Sequence, residues 1–505
     1  MGNPIKKLAG QTAIYGLSSI IGRVVNYFLL TPLYTDKNIF TTDQFGIVTN
    51  TYAWVAVSII FFTYGMETGY FRFANKKTNE KESVFSTSLI SVLTTALIFV
   101  GLILTFSTEI AIGIGYPDHS EYIEYLGIII GMDAIVSIPF ARLRLDDKPL
   151  RFAFVRLTNI AVNIGLNLFF YVFCPWYIST YNYESLNSII YLVYDPAVGV
   201  GYVFISNLIA SFVTLLLLSP QILIHKWKFE FILWKSLMKY CWPLLIVGLA
   251  GALNQHFDKI IIKYLVPNDL GDRETGIYGA IYKLSIFITL FIQAFQYAAE
   301  PFFFSQSKEK DSKKTYATVM KYFTILTSAA FLGILLYIDI IKYFIRSDDF
   351  FEGLPILPLL LFSAVLFGVY YNLAFWYKLS GKTYYGAIIS GFGSLITVIG
   401  NILLIPLFET NYPGQGYIGA AIVTLLCFFS MSIISFILGQ KHYPIDYDLK
   451  RIIGYMALAI ALFLTSHFLI SHLPNWEKYT FNTLILVTYI GVAVYFERPN
   501  KQITL

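Results

Sequence analysis

Residues 43–73 read DQFGIVTNTYAWVAVSIIFFTYGMETGYFRF, and a related stretch, GIYGAIYKLSIFITLFIQAFQYAAEPFFFSQ, occupies residues 276–306. At a constant offset of 233, four features align in pairs: Phe45-Gly46 with Tyr278-Gly279, Tyr64 with Tyr297, Glu67 with Glu300, and Phe71 with Phe304. At an offset of 234, Leu145, Lys148, Ala153 and Asn167 align with Leu379, Lys382, Ala387 and Asn401. Chance similarity between apolar segments is the alternative explanation, and the constant offset disfavours it. A duplicated bundle of apolar helices is typical of secondary transporters, whose substrate path lies between the two halves.

The composition excludes an ordinary soluble enzyme. Charged residues make up 13% of the 505 residues and hydrophobic residues 56%, whereas soluble domains carry about 25% charged residues. The three cysteines, Cys174, Cys241 and Cys427, lie within or at the ends of apolar segments without metal-ligand spacing. We therefore expect no metal, no cofactor and no catalysis by this chain.

Fourteen segments contain the roughly 20 mostly apolar residues that a membrane-spanning helix needs. Continuous apolar runs in a bilayer predict helices rather than strands. The predicted spans are residues 8–33, 43–71, 84–107, 121–143, 151–174, 197–219, 238–265, 276–304, 315–338, 354–377, 384–408, 417–438, 451–471 and 480–496.

The charges of the connecting loops predict the orientation of the spans. One set of span ends carries 25 lysines and arginines, beginning with Lys6 and Lys7, and the opposite set carries 6. Because positive charge stays on the cytoplasmic side, both termini are predicted to be cytoplasmic. The bias would collapse if one span were missed or invented.

The repeat divides the spans into two six-helix lobes. Six is an even number, so the two lobes have the same orientation and form a parallel repeat. The sequence predicts an N-lobe at residues 1–219, a basic cytoplasmic linker at 220–237, and a C-lobe at 238–440. Spans 13 and 14, within residues 441–505, stand outside the repeat.

This architecture resembles the multidrug/oligosaccharidyl-lipid/polysaccharide (MOP) exporter superfamily, and within it the bacterial polysaccharide transporters of the O-antigen flippase type. Two short strings are similar to those proteins: Gly10-Gln11-Thr12-Ala13-Ile14-Tyr15-Gly16-Leu17-Ser18 followed by Arg23, and Asp43-Gln44-Phe45-Gly46. The resemblance implies two lobes in a V around a central cavity, in an all-α, MATE-like fold. The multidrug branch typically has twelve helices, so spans 13 and 14 favour the branches with two extra helices.

Polar residues inside the spans are the candidates for cargo binding, because charge in the membrane is costly unless it faces a cavity or a partner. Ser19, Arg23 and Asn26 share one face of span 1, and a guanidinium suits phosphate or carboxylate. At the repeat offset Arg23 corresponds to His256 in span 7, where Asn254, Asp258 and Lys259 lie nearby. The alternative role is an Arg23–Asp258 ion pair that only holds the lobes together.

Four further charged residues complete the candidate set. Asp133 near the middle of span 4 and Lys283 in span 8 are candidates for the cavity lining. Glu67 and Glu300 are repeat mates near the cytoplasmic ends of spans 2 and 8, and a buried carboxylate there could couple transport to H+ or Na+. The alternative for these two is an interfacial carboxylate beside cytoplasmic lysines.

The resemblance implies a flippase that moves an undecaprenyl-pyrophosphate-linked oligosaccharide across the bacterial cytoplasmic (inner) membrane by alternating access. The product would serve cell-surface polysaccharide such as lipopolysaccharide, with polysaccharide assembly proteins as candidate partners. A lipid II flippase and a cation-coupled multidrug antiporter are the alternatives. A membrane-embedded glycosyltransferase is disfavoured, because the longest external loop, near 175–196, contains only two carboxylates, Glu184 and Asp195.

Overall fold

The computed structural model describes residues 20–76, 80–180, 190–223, 227–267, 269–306 and 311–498. In these ranges the chain forms helices and turns and no β-strand. A short apolar helix, α1 (Ile20–Tyr34), precedes thirteen helices that are long and apolar enough to span a membrane. These are α2 (Thr42–Ala74), α3 (Lys81–Thr105), α4 (Ser120–Leu145), α5 (Pro149–Thr180), α6 (Gly201–Leu223), α7 (Phe231–Leu265), α8 (Gly271–Gln306), α9 (Ser312–Leu336), α10 (Asp348–Leu379), α11 (Tyr384–Asn411), α12 (Tyr417–His442), α13 (Leu449–Ile470) and α14 (Asn475–Phe496).

The thirteen predicted spans that follow the first are confirmed as helices, and their ends agree within several residues. The largest difference is at α7, which begins at Phe231 rather than at the predicted residue 238. Lys235 and Lys239 lower the hydropathy of its first turns, although lysine is a good helix former. The predicted first span, 8–33, begins outside the described residues. The total of fourteen and the cytoplasmic position of both termini therefore stay predictions.

The chain divides into two compact units, Met1–Gly276 and Ile277–Leu505. Helix α7 packs in the first unit against α2, where the Asn50 side chain donates to the carbonyls of Lys259 and Ile260 at 3.0 and 3.1 Å. Helix α6 ends at Leu223, so the connection to α7 is shorter than the predicted linker at 220–237. The predicted lobe boundaries describe the repeat, and they stay a prediction.

Each unit contains its own copy of a helix–turn–helix element with the same local contacts. In the first unit α4 and α5 are joined at residues 146–148, and in the second α10 and α11 are joined at residues 380–383. The repeat mates Asn167 and Asn401 are both fully buried. Each donates from Nδ2 to the carbonyl four residues earlier, at 2.8 and 2.7 Å. These shared contacts support the repeat found in the sequence.

Helix α2 begins and breaks for local reasons that its sequence supplies. Thr41 and Gln44 form a capping box: the Gln44 backbone N–H donates to the Thr41 hydroxyl, and the Thr41 N–H donates to the Gln44 side chain. After Thr63, Tyr64 and Gly65 both adopt the left-handed region, with φ of 36° and 73°, and interrupt the helix. The Tyr64 hydroxyl is held 2.7 Å from Ser91 Oγ.

Helix α2 crosses the first turn of α8 at backbone contact within the first unit. A Cβ on Gly46 would lie 1.8 Å from the carbonyl oxygen of Asp272, and a Cβ on Gly276 would lie 1.9 Å from that of Thr42. Only glycine fits at either position, so the two helices approach more closely than any side chain would allow.

In the second unit, ion pairs and hydrogen bonds join α13 and α14 to both ends of α9. At one end the Glu497 carboxylate pairs with Lys321 and with Arg451, and the Tyr455 hydroxyl donates to it at 3.0 Å. At the other end Asp339 pairs with Lys478. Between them, Asn482 Nδ2 donates to the carbonyl of Leu336 at 2.6 Å. The two additional helices are therefore built into this unit.

Candidate functional site

Helix α1 packs on α5 and presents Arg23 away from that contact. A Cβ on Gly22 would meet Ile160 of α5 at 2.1 Å, and the Tyr34 hydroxyl donates to Asn167 Oδ1 at 2.7 Å. Arg23 is exposed. Asn26, one turn further on, is half-buried, and its Oδ1 has no hydrogen-bond partner among the described residues. The predicted stripe thus contains an exposed arginine and an unsatisfied amide oxygen, while Ser19 lies outside the described residues.

Asp133 is the one exposed residue of α4, all of whose 26 residues are described. Its carboxylate accepts from Ser211 Oγ of α6 at 2.9 Å. One turn earlier on α6, Asn207 Nδ2 donates to the Tyr52 hydroxyl at 3.0 Å. Tyr52 and Arg156 both lie within electrostatic reach of Asp133. Helices α2, α4, α5 and α6 therefore share a polar region at mid-helix depth.

The candidates on α7 divide into a buried and a partly open group. Asn254, Asp258 and Lys259 are buried, with Asp258 and Lys259 only 3% and 7% exposed. Lys259 Nζ lies 2.9 Å from Asp258 Oδ1 and donates to the carbonyl of Gln255 at 2.9 Å. His256 is half-buried. The Asp258–Lys259 pair was not anticipated, since adjacent residues do not share a helix face by spacing alone.

The remaining candidates are Lys283, Glu300 and Glu67. Lys283 is half-buried on α8 in the second unit, and the side chain of Glu300 lies outside the described residues. Glu67 forms an ion pair with Arg144, whose guanidinium also stacks 5.0 Å from the ring centre of Phe71. The Glu67 carboxylate is thus paired with an arginine.

A cluster that sequence reasoning missed joins the end of α7 to the start of α8. Lys263 Nζ lies 2.7 Å from Asp272 Oδ2 and 3.3 Å from the ring centre of Tyr116. The Tyr116 hydroxyl donates to Asp272 Oδ1 at 2.8 Å. Burial, together with the Asp272 carboxylate, raises the pKa of Tyr116 well above its usual value. Since Tyr116 lies about 150 residues from its partners, no local sequence pattern could reveal this cluster.

The described residues contain no group of three or more His, Cys, Asp or Glu side chains that could hold a metal ion. The three cysteines are buried and unbonded to one another. The charged candidate residues are suited to binding a ligand. Arg23 and Asp133 are charged and exposed within apolar helices, and such residues usually face a water-filled cavity rather than lipid.

Comparison with known proteins finds one matching family and several solved structures of similar fold. Residues 39–350 match the family described as "Polysaccharide biosynthesis protein". No curated protein matches the chain by sequence. Among solved structures, the lipid II flippase MurJ in an inward closed conformation has a TM-score of 0.72 at 15% identity, covering 96% of this chain and 98% of that one.

Two other structures extend the fold similarity. An inward-facing multidrug resistance MATE family transporter of the MOP superfamily has a TM-score of 0.64 at 13% identity, covering 85% of this chain and 94% of that one. A MOP superfamily transporter from Pyrococcus furiosus, described as having a binding pocket of reversed polarity, has a TM-score of 0.56 at 13% identity, covering 85% of this chain and 95% of that one.

Proposed function

Because the chain belongs to the polysaccharide biosynthesis protein family and has a fold similar to that of a MOP superfamily transporter, we propose that it is a flippase for a lipid-linked oligosaccharide. It moves an undecaprenyl-pyrophosphate-linked sugar across the bacterial cytoplasmic membrane by alternating access. The product feeds cell-surface polysaccharide, such as lipopolysaccharide. The observation that carries the proposal is the family match over more than half of the chain, which names polysaccharide biosynthesis.

The extent of the structural similarity supports a lipid-linked cargo over a drug. The alignment with the lipid II flippase structure covers 96% of this chain, whereas the alignment with the multidrug transporter covers 85%. Helices α13 and α14 are part of the second unit through the pairs at Glu497 and Asp339. A protein with these two helices is more fully matched by the flippase than by the drug transporter.

Arg23 is the proposed contact for the charged head group of the cargo. A guanidinium offers a planar fork of donors that matches pyrophosphate or an acidic sugar. Asn26 and Asp133 extend the proposed surface within the first unit, since both supply oxygen atoms that accept hydrogen bonds from sugar hydroxyls. Asn254, His256, Asp258, Lys259 and Lys283 complete the proposed set.

Coupling to H+ or Na+ through Glu67 and Glu300 is the proposed energy source. The Glu67–Arg144 pair would have to open for the carboxylate to take up a cation, since the guanidinium now occupies it. Polysaccharide assembly proteins are the proposed partners.

Depletion of the protein in cells separates this function from its two alternatives. The proposal expects loss of surface polysaccharide and accumulation of its lipid-linked precursor on the cytoplasmic side, with normal cell shape. A lipid II flippase would instead produce lysis through failure of the peptidoglycan, and a drug antiporter would produce only drug sensitivity. Either of those outcomes, with surface polysaccharide unchanged, would overturn the proposal.

A further inference from the structure

Helix α5 carries an apolar stripe that is longer than the hydrocarbon core of a bilayer. Exposed residues recur every three or four positions along it, through Leu150, Phe154, Leu157, Ala161, Gly165, Leu168, Val172 and Trp176. At 1.5 Å per residue, the stripe from Leu150 to Trp176 is about 39 Å long. The hydrocarbon core is about 30 Å thick. Either α5 tilts by about 40°, or its last turns leave the hydrocarbon and remain apolar beyond it.

The chain returns from α5 through a second apolar segment at residues 190–194. Leu192 is 83% exposed, and Tyr191 and Val193 are exposed beside it. The segment is a fixed turn, since the N–H of Tyr194 donates to the carbonyl of Ile190 at 2.8 Å. The ring of Tyr194 stacks on Tyr202 at 5.4 Å.

The end of α5 and this turn are tied to the same base. The Tyr171 hydroxyl donates to the carbonyl of Gly199 at 2.9 Å, and the Phe170 ring stacks on Tyr202 at 4.2 Å. We call the described residues 172–180 and 190–194 the α5 cap. Because Tyr202 holds both parts, the exposed side chains of the α5 cap form a preformed surface.

The chemistry of the α5 cap suits a lipid surface. None of its residues is Asp, Glu, Lys or Arg, and its exposed side chains include Trp176 and Tyr191. Tryptophan and tyrosine favour the membrane–water interface, where the ring is partly dehydrated and the polar atom stays hydrated. The surface is also continuous with the stripe of α5 that faces outward along the whole helix.

We propose that the α5 cap is a lipid-binding surface that lies in the head-group layer of the bilayer, beyond the hydrocarbon core. The contact also fixes the depth of α1. Tyr171 packs against Phe40, which follows α1, at 5.0 Å between ring centres, and Tyr34 of α1 is bonded to Asn167 of α5. The helix that carries Arg23 is thereby held at a set distance from the membrane surface. This inference does not depend on the identity of the cargo.

Spin labels on single cysteines test the proposal in the full chain. The variants Trp176→Cys and Leu192→Cys report on the α5 cap, Leu157→Cys on the stripe two turns after Leu150, and Asp118→Cys on an exposed loop outside the spans. The native cysteines are fully buried, and unsubstituted protein measures their background labelling. The labelled protein is placed in vesicles of phosphatidylethanolamine and phosphatidylglycerol, and accessibility to oxygen and to a water-soluble nickel complex gives the depth of each label.

The proposal expects the labels at 176 and 192 at the level of the phosphates, with 157 deep and 118 in water. Labels at 176 and 192 that are as water-accessible as 118 would overturn it. If those labels became protected in native membranes, a protein partner would cover the surface instead. A label at 176 that lies within the hydrocarbon, rather than at the level of the phosphates, would show that α5 tilts, and this would also contradict the proposal.

Discussion

Asp133 and Asp258 are both aspartates inside apolar helices, yet their surroundings are opposite. Asp133 is exposed and accepts one hydrogen bond from Ser211, whereas Asp258 is buried beside Lys259. An exposed carboxylate at this depth is available to water, an ion or cargo, while the buried pair is already neutralised. At the residue scale the first is therefore better placed to take part in transport than the second.

The sequence identified both aspartates but could not rank them. Hydropathy locates a charged residue along a helix, whereas exposure depends on which neighbouring helix covers its face. Asp258 is covered because α7 packs on α2 through Asn50. That contact joins residues about 210 positions apart, and a single sequence holds no direct signal of it.

Substitution of Arg23 by Ala is expected to reduce transport of the lipid-linked sugar at least tenfold. Hydrogen bonds to charged groups contribute about 1.5–3 kcal/mol, and the lost fork cannot be replaced by water as effectively. Initial transport rates in proteoliposomes measure the effect, at equal amounts of inserted protein. Arg151→Ala is the matched control, since this exposed arginine at the start of α5 donates to the carbonyl of Leu217 in α6 and should be dispensable. Wild-type rates for Arg23→Ala would remove Arg23 from the site.

At the element scale, the α2–α8 crossing predicts that replacing a glycine at the crossing destabilises the protein more than replacing a glycine with open space around it. Gly46→Ala would force its Cβ onto the carbonyl of Asp272, and overpacking of this kind costs about 1–3 kcal/mol. We expect a clear fall in the melting temperature of the purified protein. Gly101→Ala on α3 is the control, because nothing lies within 4 Å of its added Cβ. Equal melting temperatures for the two variants would contradict the crossing.

The buried carboxylate of Glu497 makes the stability of the contacts around α14 depend on pH. Burial disfavours its charged form, but the pairs with Lys321 and Arg451 outweigh burial and lower its pKa. A lowered folded pKa stabilises the protein at neutral pH, and this contribution is lost as the pH falls through that value. Glu497→Gln should therefore cost about 1.5–3 kcal/mol at pH 7, the usual contribution of hydrogen bonds to charged groups.

The difference between wild type and Glu497→Gln should shrink below about pH 4, where glutamate ordinarily takes up its proton. Thermal unfolding in detergent across this pH range checks it, with the exposed Asp446→Asn as control. A difference that persisted unchanged in acid would show that the ion pair is not its source.

Most helices could be predicted from sequence, because apolar runs in a bilayer have a single backbone solution. The break in α2 at Tyr64 and Gly65 could not be predicted from sequence. Tyr64 aligns with Tyr297 in the repeat, and α8 continues as a helix there. The left-handed Tyr64 is held by Ser91 of α3. A tertiary contact thus decides the local structure at this position.

For the whole molecule, the loop charges predict which ends face the cytoplasm. Single cysteines at positions 118 and 446, both exposed and outside the spans, should lie on opposite sides of the membrane. A membrane-impermeant maleimide added to spheroplasts should label 118 and leave 446 unlabelled until the cells are opened. Labelling of both in intact spheroplasts, or of 446 alone, would contradict the predicted topology.

Transport of a lipid-linked oligosaccharide is tested most directly with purified protein in sealed vesicles. A fluorescent undecaprenyl-pyrophosphate oligosaccharide is built into the inner leaflet, and its appearance outside is followed with an impermeant glycosidase. We expect that wild-type protein makes the inner pool accessible, that Arg23→Ala does so at least tenfold more slowly, and that protein-free vesicles do not. Vesicles in which wild-type protein moves none of this lipid, while the same preparation transports lipid II or a cationic drug, would contradict this expectation.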